Sequence, residues 1–320
     1  MAEATAISWC DSTFNPWVGC TKLSLACDHC YAERLMDHRL HRVQWGPGQP
    51  RQRTSAANWR QPLLWEREHE AFMLAHGRRR RVFCASLADV FDNEVPPEWR
   101  ADLFGLIQAT PHLDWQLLTK RIGNAWKMMA DACGWSMASL KLPLPNVWLG
   151  ATICNQAEAD RDIPKLLAVP ARVRFLSIEP MLGPIDLFAV PRPRFDAMPG
   201  AELHVLPNLD WVICGGESGP QARPMHPDWV RSLRDQCAAA GVPFHVKQWG
   251  EWTPDPDDDR GSVAWGITTS GELLKNNAAF NARTGDAEVM FRVGTKHTGR
   301  LLDGRTHDEF PSCLERAVVG

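Results

Sequence analysis

Cys20, Cys27 and Cys30 follow one another with the spacing C-x6-C-x2-C, in the run Gly19-Cys20-Thr-Lys-Leu-Ser-Leu-Ala-Cys27-Asp-His-Cys30-Tyr31. Three soft thiolates within eleven residues can wrap one metal centre. Two chemistries fit. A structural zinc site takes a fourth ligand, and Cys10, His29 and His38 are the candidates nearby. An iron–sulfur cluster held by three Cys leaves one iron open for a small ligand, which suits chemistry as well as folding. The C-x2-C pair opens a helical pattern over Tyr31–Leu40, where free N–H groups and the dipole favour thiolate anions. The remaining cysteines read otherwise. Cys84, Cys154 and Cys214 sit inside apolar runs and Cys237 in a helical pattern, as small buried hydrophobes do.

A second set of chemically capable residues falls where apolar runs end. Asp89, Lys120, Arg121, Glu179, Glu217 and Lys247 each follow or close such a run, and Ser86 opens the loop that holds Asp89. Charges there are costly unless paired or used. Gly215-Gly-Glu-Ser-Gly219 reads either as a phosphate cradle or as a tight strand-to-helix turn.

The elements that must position these residues alternate. Short apolar runs at Ala6–Cys10, Val82–Leu87, Trp115–Leu118, Val147–Ile153, Val173–Ile178, Trp211–Cys214 and Phe244–Val246 read as buried strands. Helical patterns cover Pro97–Thr110, Asn155–Leu167 and Pro227–Ala240, the last ending at Gly241. Strands alternating with helices imply parallel strands with right-handed crossovers. The fold class expected is therefore α/β, a full or partial parallel (β/α) barrel, with a doubly wound open sheet as the alternative. In a barrel, strand C-termini share one mouth. Residues 1–253 would form the barrel, with the cysteine loop at 20–30 and a Gly-, Pro-, Gln- and Arg-rich insertion or lid at Val43–Pro62. The acidic turn Pro254–Gly261 would close it, and 254–320 would form a small appendage covering one end.

The 320 residues carry a net charge of −3 and 44% hydrophobic residues, which excludes wholesale disorder and nonspecific polyanion binding by the whole molecule. No apolar run approaches membrane-span length and the start lacks a secretory pattern, so a cytoplasmic protein is expected. Charge is uneven. Eleven Arg and no Lys lie between Arg34 and Arg81 against Asp37, Glu66, Glu68 and Glu70, with Arg78–Arg81 the densest part. Trp45, Trp59 and Trp65 are interleaved with them, a pattern that suits phosphate contact with base stacking, or else a solvated face.

The cysteine loop resembles that of radical S-adenosylmethionine enzymes, although their commonest spacing is C-x3-C-x2-C. The blocks Phe14-Asn-Pro-Trp-Val-Gly-Cys20, Ser86-Leu-Ala-Asp-Val-Phe91, Leu118-Thr-Lys-Arg121, Asn146-Val-Trp-Leu-Gly150, Arg174-Phe-Leu-Ser-Ile-Glu-Pro180, Gly215-Gly-Glu-Ser-Gly219 and Lys247-Gln-Trp-Gly250 resemble, in order, the signature blocks of a phage- and prophage-associated three-cysteine-motif family of uncharacterised proteins. That resemblance implies a TIM or radical-SAM type of barrel. It implies a 4Fe–4S cluster on Cys20, Cys27 and Cys30, with Ser86, Asp89, Arg121 and Glu179 binding S-adenosylmethionine. In that superfamily the loop after the second strand often handles the methionine amino group, here Ser86–Asp89; a zwitterionic amino acid with an attached ribose needs a carboxylate for its ammonium, a cation for its carboxylate and acceptors for its hydroxyls, which Asp89, Lys120 or Arg121, and Glu179 can meet. The usual Gly-Gly-Glu is absent from that loop, and the Gly-Gly-Glu at Gly215–Glu217 follows a much later strand and is not equated with it. Lys120, Glu217 and Lys247 are then the catalytic candidates. The reaction expected is generation of a 5′-deoxyadenosyl radical to modify a substrate, with an external electron donor and a nucleotide or nucleic acid as a candidate partner. The competing expectation is a non-catalytic phage protein, stapled by Zn or Fe–S, that binds nucleic acid or another protein.

Overall fold

The computed structural model describes residues 5–135, 144–191, 205–255, 263–275 and 286–312. Strand β1 (Ser12–Phe14) is followed by a short antiparallel pair, β2 (Trp17–Val18) with β3 (Gln52–Arg53), and the one-turn helix α1 (Tyr31–Glu33) lies between the two in sequence. The main sheet then continues through β4 (Arg80–Cys84), β5 (Leu113–Thr119), β6 (Val147–Thr152), β7 (Val173–Ile178), β8 (Trp211–Gly215) and β9 (Phe244–Gln248). Its order is β1-β4-β5-β6-β7-β8-β9, and every pairing is parallel. Strand order never reverses, so the switch point of a doubly wound sheet is absent and that alternative falls. The seven strands curl into a half-barrel.

Side-chain alternation separates two cores. Val82, Trp115, Leu149, Leu176, Val212 and Val246 face outward, beneath α4 (Pro97–Gln108), α5 (Ile122–Cys133), α6 (Gln156–Leu167) and α7 (Pro227–Ala240). Phe83, Trp148, Phe175 and Trp211 face inward and pack with Trp9 and Cys10. The outer layer explains why the strands read as continuous apolar runs, since both faces are covered. Helix ends follow local rules. Asn155 caps α6 by accepting from the Glu158 amide, and Pro227 starts α7, which stops at Gly241 with φ +67°.

Three expectations need correction. The first strand is Ser12–Phe14 and not Ala6–Cys10, because Trp9 turns inward to lie 4.6 Å from Phe83 and 6.4 Å from both Phe175 and Trp211. The segment Val43–Pro62 is not one insertion: Gln52–Arg53 pairs with Trp17–Val18, and Ser55 caps a helix, α2 (Ala56–Arg67), that is followed by α3 (His69–His76). Only its first part is irregular. Finally, the C-terminal region touches two places instead of covering one end. Strands β10 (Trp252–Thr253), β11 (Val263–Thr268), β12 (Leu273–Leu274) and β13 (Ala287–Arg292) form an antiparallel sheet in the order β10-β13-β11-β12. That sheet sits by the loop after β8, where Arg292 donates to the Pro220 carbonyl at 2.7 Å and Trp252 to that of Ala222 at 2.7 Å. The tail beyond it bridges the free edge of β9 through Asp308 and packs Phe310 on Trp211 and His245 at the opposite end of the sheet. Most of the acidic turn expected at Pro254–Gly261 lies outside the described residues. No helix among the described residues is long and apolar enough to cross a membrane.

Candidate functional site

The C-terminal ends of the parallel strands open into one cavity of about 430 Å3. Its lining includes Cys20, Cys27 and Cys30, and also Ser86, Asp89, Lys120, Arg121, Glu179, Glu217 and Lys247. All ten residues singled out from the sequence therefore meet at one place. Parallel topology is the cause, since it sends every strand C-terminus to the same side.

Two arginine networks hold the cysteine loop. On one side the Arg51 guanidinium is fully buried against Asp92, with Nε to Oδ2 at 2.8 Å, and also donates to Thr21 Oγ1 at 2.7 Å. Arg121 donates to Cys20 Sγ at 3.3 Å, to the Thr21 carbonyl at 2.8 Å and to Asp89 at 3.3 Å. On the other side Arg223 donates to both Glu217 oxygens, at 2.7 and 2.9 Å, to Asp28 at 3.1 Å and to the Leu25 carbonyl at 2.9 Å. His29 Nδ1 stands 3.1 Å from the same Glu217 carboxylate. Burial alone would raise Glu217, but the Arg223 bonds outweigh it and hold the carboxyl below its usual range.

These bonds redistribute the expected roles. A carboxylate has about four acceptor positions. Asp89 fills its own with Thr119 Oγ1, the amides of Phe91 and Lys120, and Arg121. It clamps two loops together and has no acceptor left for a ligand ammonium. Glu217 takes three Arg223 donors, its backbone amide among them, and faces His29 at 3.1 Å, so most of its acceptor positions are used in holding the cysteine loop. Arg121 is committed to Cys20 and Asp89, not to a bound cofactor. Glu179 differs. It pairs with Lys247 at 2.7 and 2.9 Å across the mouth, half-open to the cavity. The Lys120 ammonium has neither ion-pair nor hydrogen-bond partner among the described residues. Ser86 is held by Asn15, whose amide nitrogen donates to Ser86 Oγ at 3.0 Å while its oxygen accepts from the Leu87 amide at 2.7 Å.

The thiols face the cavity without drawing together around a single point. Among the described residues, the three sulfurs are not a group whose ligand atoms all lie within 4.8 Å of one another, as the ligands of one ion would be. Burial pushes the Cys20 thiol up to about 12, with Asp89 adding to the rise and Arg121 opposing it. Cys10, one candidate fourth ligand, is buried beneath the cavity with its thiol also pushed up to about 12 by burial. His29 lines the cavity and His38 is exposed outside it. The one close-ligand group among the described residues is Glu66, His69 and His112. Its imidazoles stack at 3.9 Å with an 11° interplanar angle, so their in-plane lone pairs run parallel and do not converge on an ion.

The glycine-rich run after β8 is a packing device. A side chain at Gly216 would meet the Trp249 carbonyl, and one at Gly219, where φ is +112°, would meet Arg34. The Gly216 and Gly219 amides are already given to the Gln248 carbonyl and to Glu251, each at 2.9 Å, so they do not cradle a phosphate.

Nor is Arg78–Arg81 an open cationic face. Arg78 grips both oxygens of Asp11 at 2.6 and 2.8 Å, and Arg79 donates to the Pro111 carbonyl at 3.2 Å. Arg80 lies 4.4 Å over Phe72, and Arg81 points into the barrel 3.8 Å over Phe310. Arg53 pairs with Asp102 at 2.7 Å and covers Trp59. The expected phosphate-binding run is thus spent on pinning strands and helices together.

Several cavity residues were not singled out from the sequence: Tyr31, Thr152, Ser177, Ser218 and Gln248. Ser177 had a usable signal, lying two positions before Glu179 on the same face of the chain. Arg51, Asp92 and Arg223 had none, because their partners are set by tertiary contact.

A family model described as protein of unknown function (DUF5131) matches residues 4–311. No curated protein and no solved structure matches the chain.

Proposed function

The chain belongs to that family over nearly its whole length, and we propose that it is a radical S-adenosylmethionine-like iron–sulfur enzyme built on a partial barrel of that type. The observation that supports the reading is that Cys20, Cys27 and Cys30 all line one cavity at the mouth of a parallel half-barrel. Cys20, Cys27 and Cys30 would hold a 4Fe–4S cluster. With S-adenosylmethionine beside it, such a cluster would supply one-electron reductive chemistry for radical generation, the electron coming from an external donor.

What the chain itself contributes is position and exclusion. Arg51 with Asp92, and Arg223 with Glu217, fix the two ends of the cysteine loop before any metal arrives. Lys120 offers an uncommitted ammonium to a carboxylate, and Glu179 offers a carboxylate whose Lys247 partner can be exchanged for a ligand cation. Ser86 and Ser177 add hydroxyls. Trp9, Phe83 and Leu118 line an apolar floor that keeps water from beneath.

Anaerobic reconstitution with ferrous iron and sulfide tests the reading. The expected product is brown, with broad visible absorption and about four irons per chain. Cys20→Ser, Cys27→Ser and Cys30→Ser should each abolish loading, while Cys133→Ser should not change it. A colourless protein that retains one zinc, or iron content that survives all three replacements, would overturn it.

A further inference from the structure

Resting on that reading, we propose that the substrate is a single-stranded nucleic acid that lies along the rim formed by Arg34, Arg39 and Arg42 and offers one nucleotide to the cavity. Three observations converge. The first is room. At about 430 Å3 the cavity is at the small end of ligand pockets, which run from about 300 to about 1,000 Å3 and enclose one drug-sized molecule. A cavity of that size admits one nucleotide at most, so the rest of a nucleic-acid strand stays outside.

The second is charge. Arg34 and Arg39 are exposed on the helical segment Arg34–Arg39 that follows the cysteine loop, and Arg42 just beyond it; all three stand outside the cavity lining, and none has an acidic partner among the described residues. Asp37, the acid among them, already accepts from the Trp45 amide at 2.7 Å. The other arginines of the segment that were tied down above cannot serve. Arg34 also reaches the Gly219 turn, which places the rim against the loop that carries Glu217.

The third is aromatic surface at the same spot. Tyr31 follows Cys30, donates its buried hydroxyl to the Ser86 carbonyl and is 47% exposed as a residue. Trp45 also lines the cavity. Rings beside cations suit unpaired bases, since a paired base hides its faces in the stack. A base must also leave the stack to reach a recessed site.

Fluorescence anisotropy with labelled single-stranded DNA and RNA oligonucleotides tests this on the full chain, with iron loading measured on the same preparation. Three phosphate contacts should make affinity fall about 20-fold between about 50 and about 200 mM salt. The triple variant Arg34→Gln/Arg39→Gln/Arg42→Gln should lose at least about tenfold in affinity and most of the salt slope, while loading iron normally. Arg60→Gln/Arg67→Gln, in exposed positions of α2, should bind as wild type. Absence of binding at low salt, equal binding of duplex and single strand, or an unchanged triple variant would each overturn the proposal. Failure of iron loading with binding intact would instead overturn the enzyme reading and leave the rim standing.

Discussion

Arg51 and Arg121 show how much of the site is built from charges that never meet a ligand. The Arg51 side chain is fully buried, and Asp92 is its counter-charge. Breaking one partner of such a pair strands the other, which costs far more than the pair contributes. Asp92→Asn should destabilise the protein by about 3–5 kcal/mol in urea denaturation. The double replacement Arg51→Met/Asp92→Leu should cost less than the sum of the two single changes. Strictly additive losses would show that the pair is not a coupled unit. Lys120 is the contrasting case. It stands at the same mouth without a partner, so Lys120→Met should leave the melting temperature within about 2 °C. It should weaken S-adenosylmethionine binding by equilibrium dialysis about tenfold, the loss of one charge-assisted contact. Unchanged retention would remove Lys120 from the site.

Element by element, the glycines of two sequence blocks acquire physical meaning. Gly150 on β6 faces inward opposite Phe175 on β7, and a methyl there would overlap the phenyl ring. Gly216 lies against the Trp249 carbonyl, where backbone and not a flexible side chain blocks the space. Gly150→Ala should cost about 1–3 kcal/mol as the ring shifts. Gly216→Ala should cost at least as much and should also lower iron loading, because the loops after β8 and β9 bound the cavity. Equal loading in both variants would detach the Gly216 turn from the site. Six strands and their order were legible in the sequence because each is buried on both faces and reads as an apolar run. Ser12–Phe14 was not, being three residues long and half polar. The mouth residues were legible because parallel strands deliver their C-termini together. Which of those residues are free was not legible: three of the four bonds to Asp89 come from groups about thirty positions away, and Arg78 is held by Asp11 across sixty-seven. Sequence spacing carries no record of such pairs, and so the Arg78–Arg81 run resembles a solvated face until the fold supplies its partners.

At the scale of the whole molecule, the half-barrel needs something other than strands to close its seam. Among the described residues, the N-terminal segment and the tail do this, and they meet at His245 on β9. Ser8 Oγ lies 2.9 Å and Arg300 3.3 Å from His245 Nε2, while Phe310 packs on its ring. Burial lowers the imidazole pKa from 6.5 to about 4, and the Arg300, Arg81 and Lys247 charges act in the same direction against Asp308. The folded chain therefore keeps His245 neutral in a range where the unfolded chain binds a proton. Stability contributed by this residue is complete above about pH 6.5, falls as pH drops towards about 4, and changes no further below that. The full difference is about 3 kcal/mol. His245→Phe would fill the same space between Trp211 and Phe310 and carry no proton. Its loss of stability between pH 7 and pH 4, read by urea denaturation, should be smaller than that of wild type by about this amount. Parallel pH profiles for the two proteins would mean that water reaches the seam, and that the tail covers the end of the barrel without sealing it.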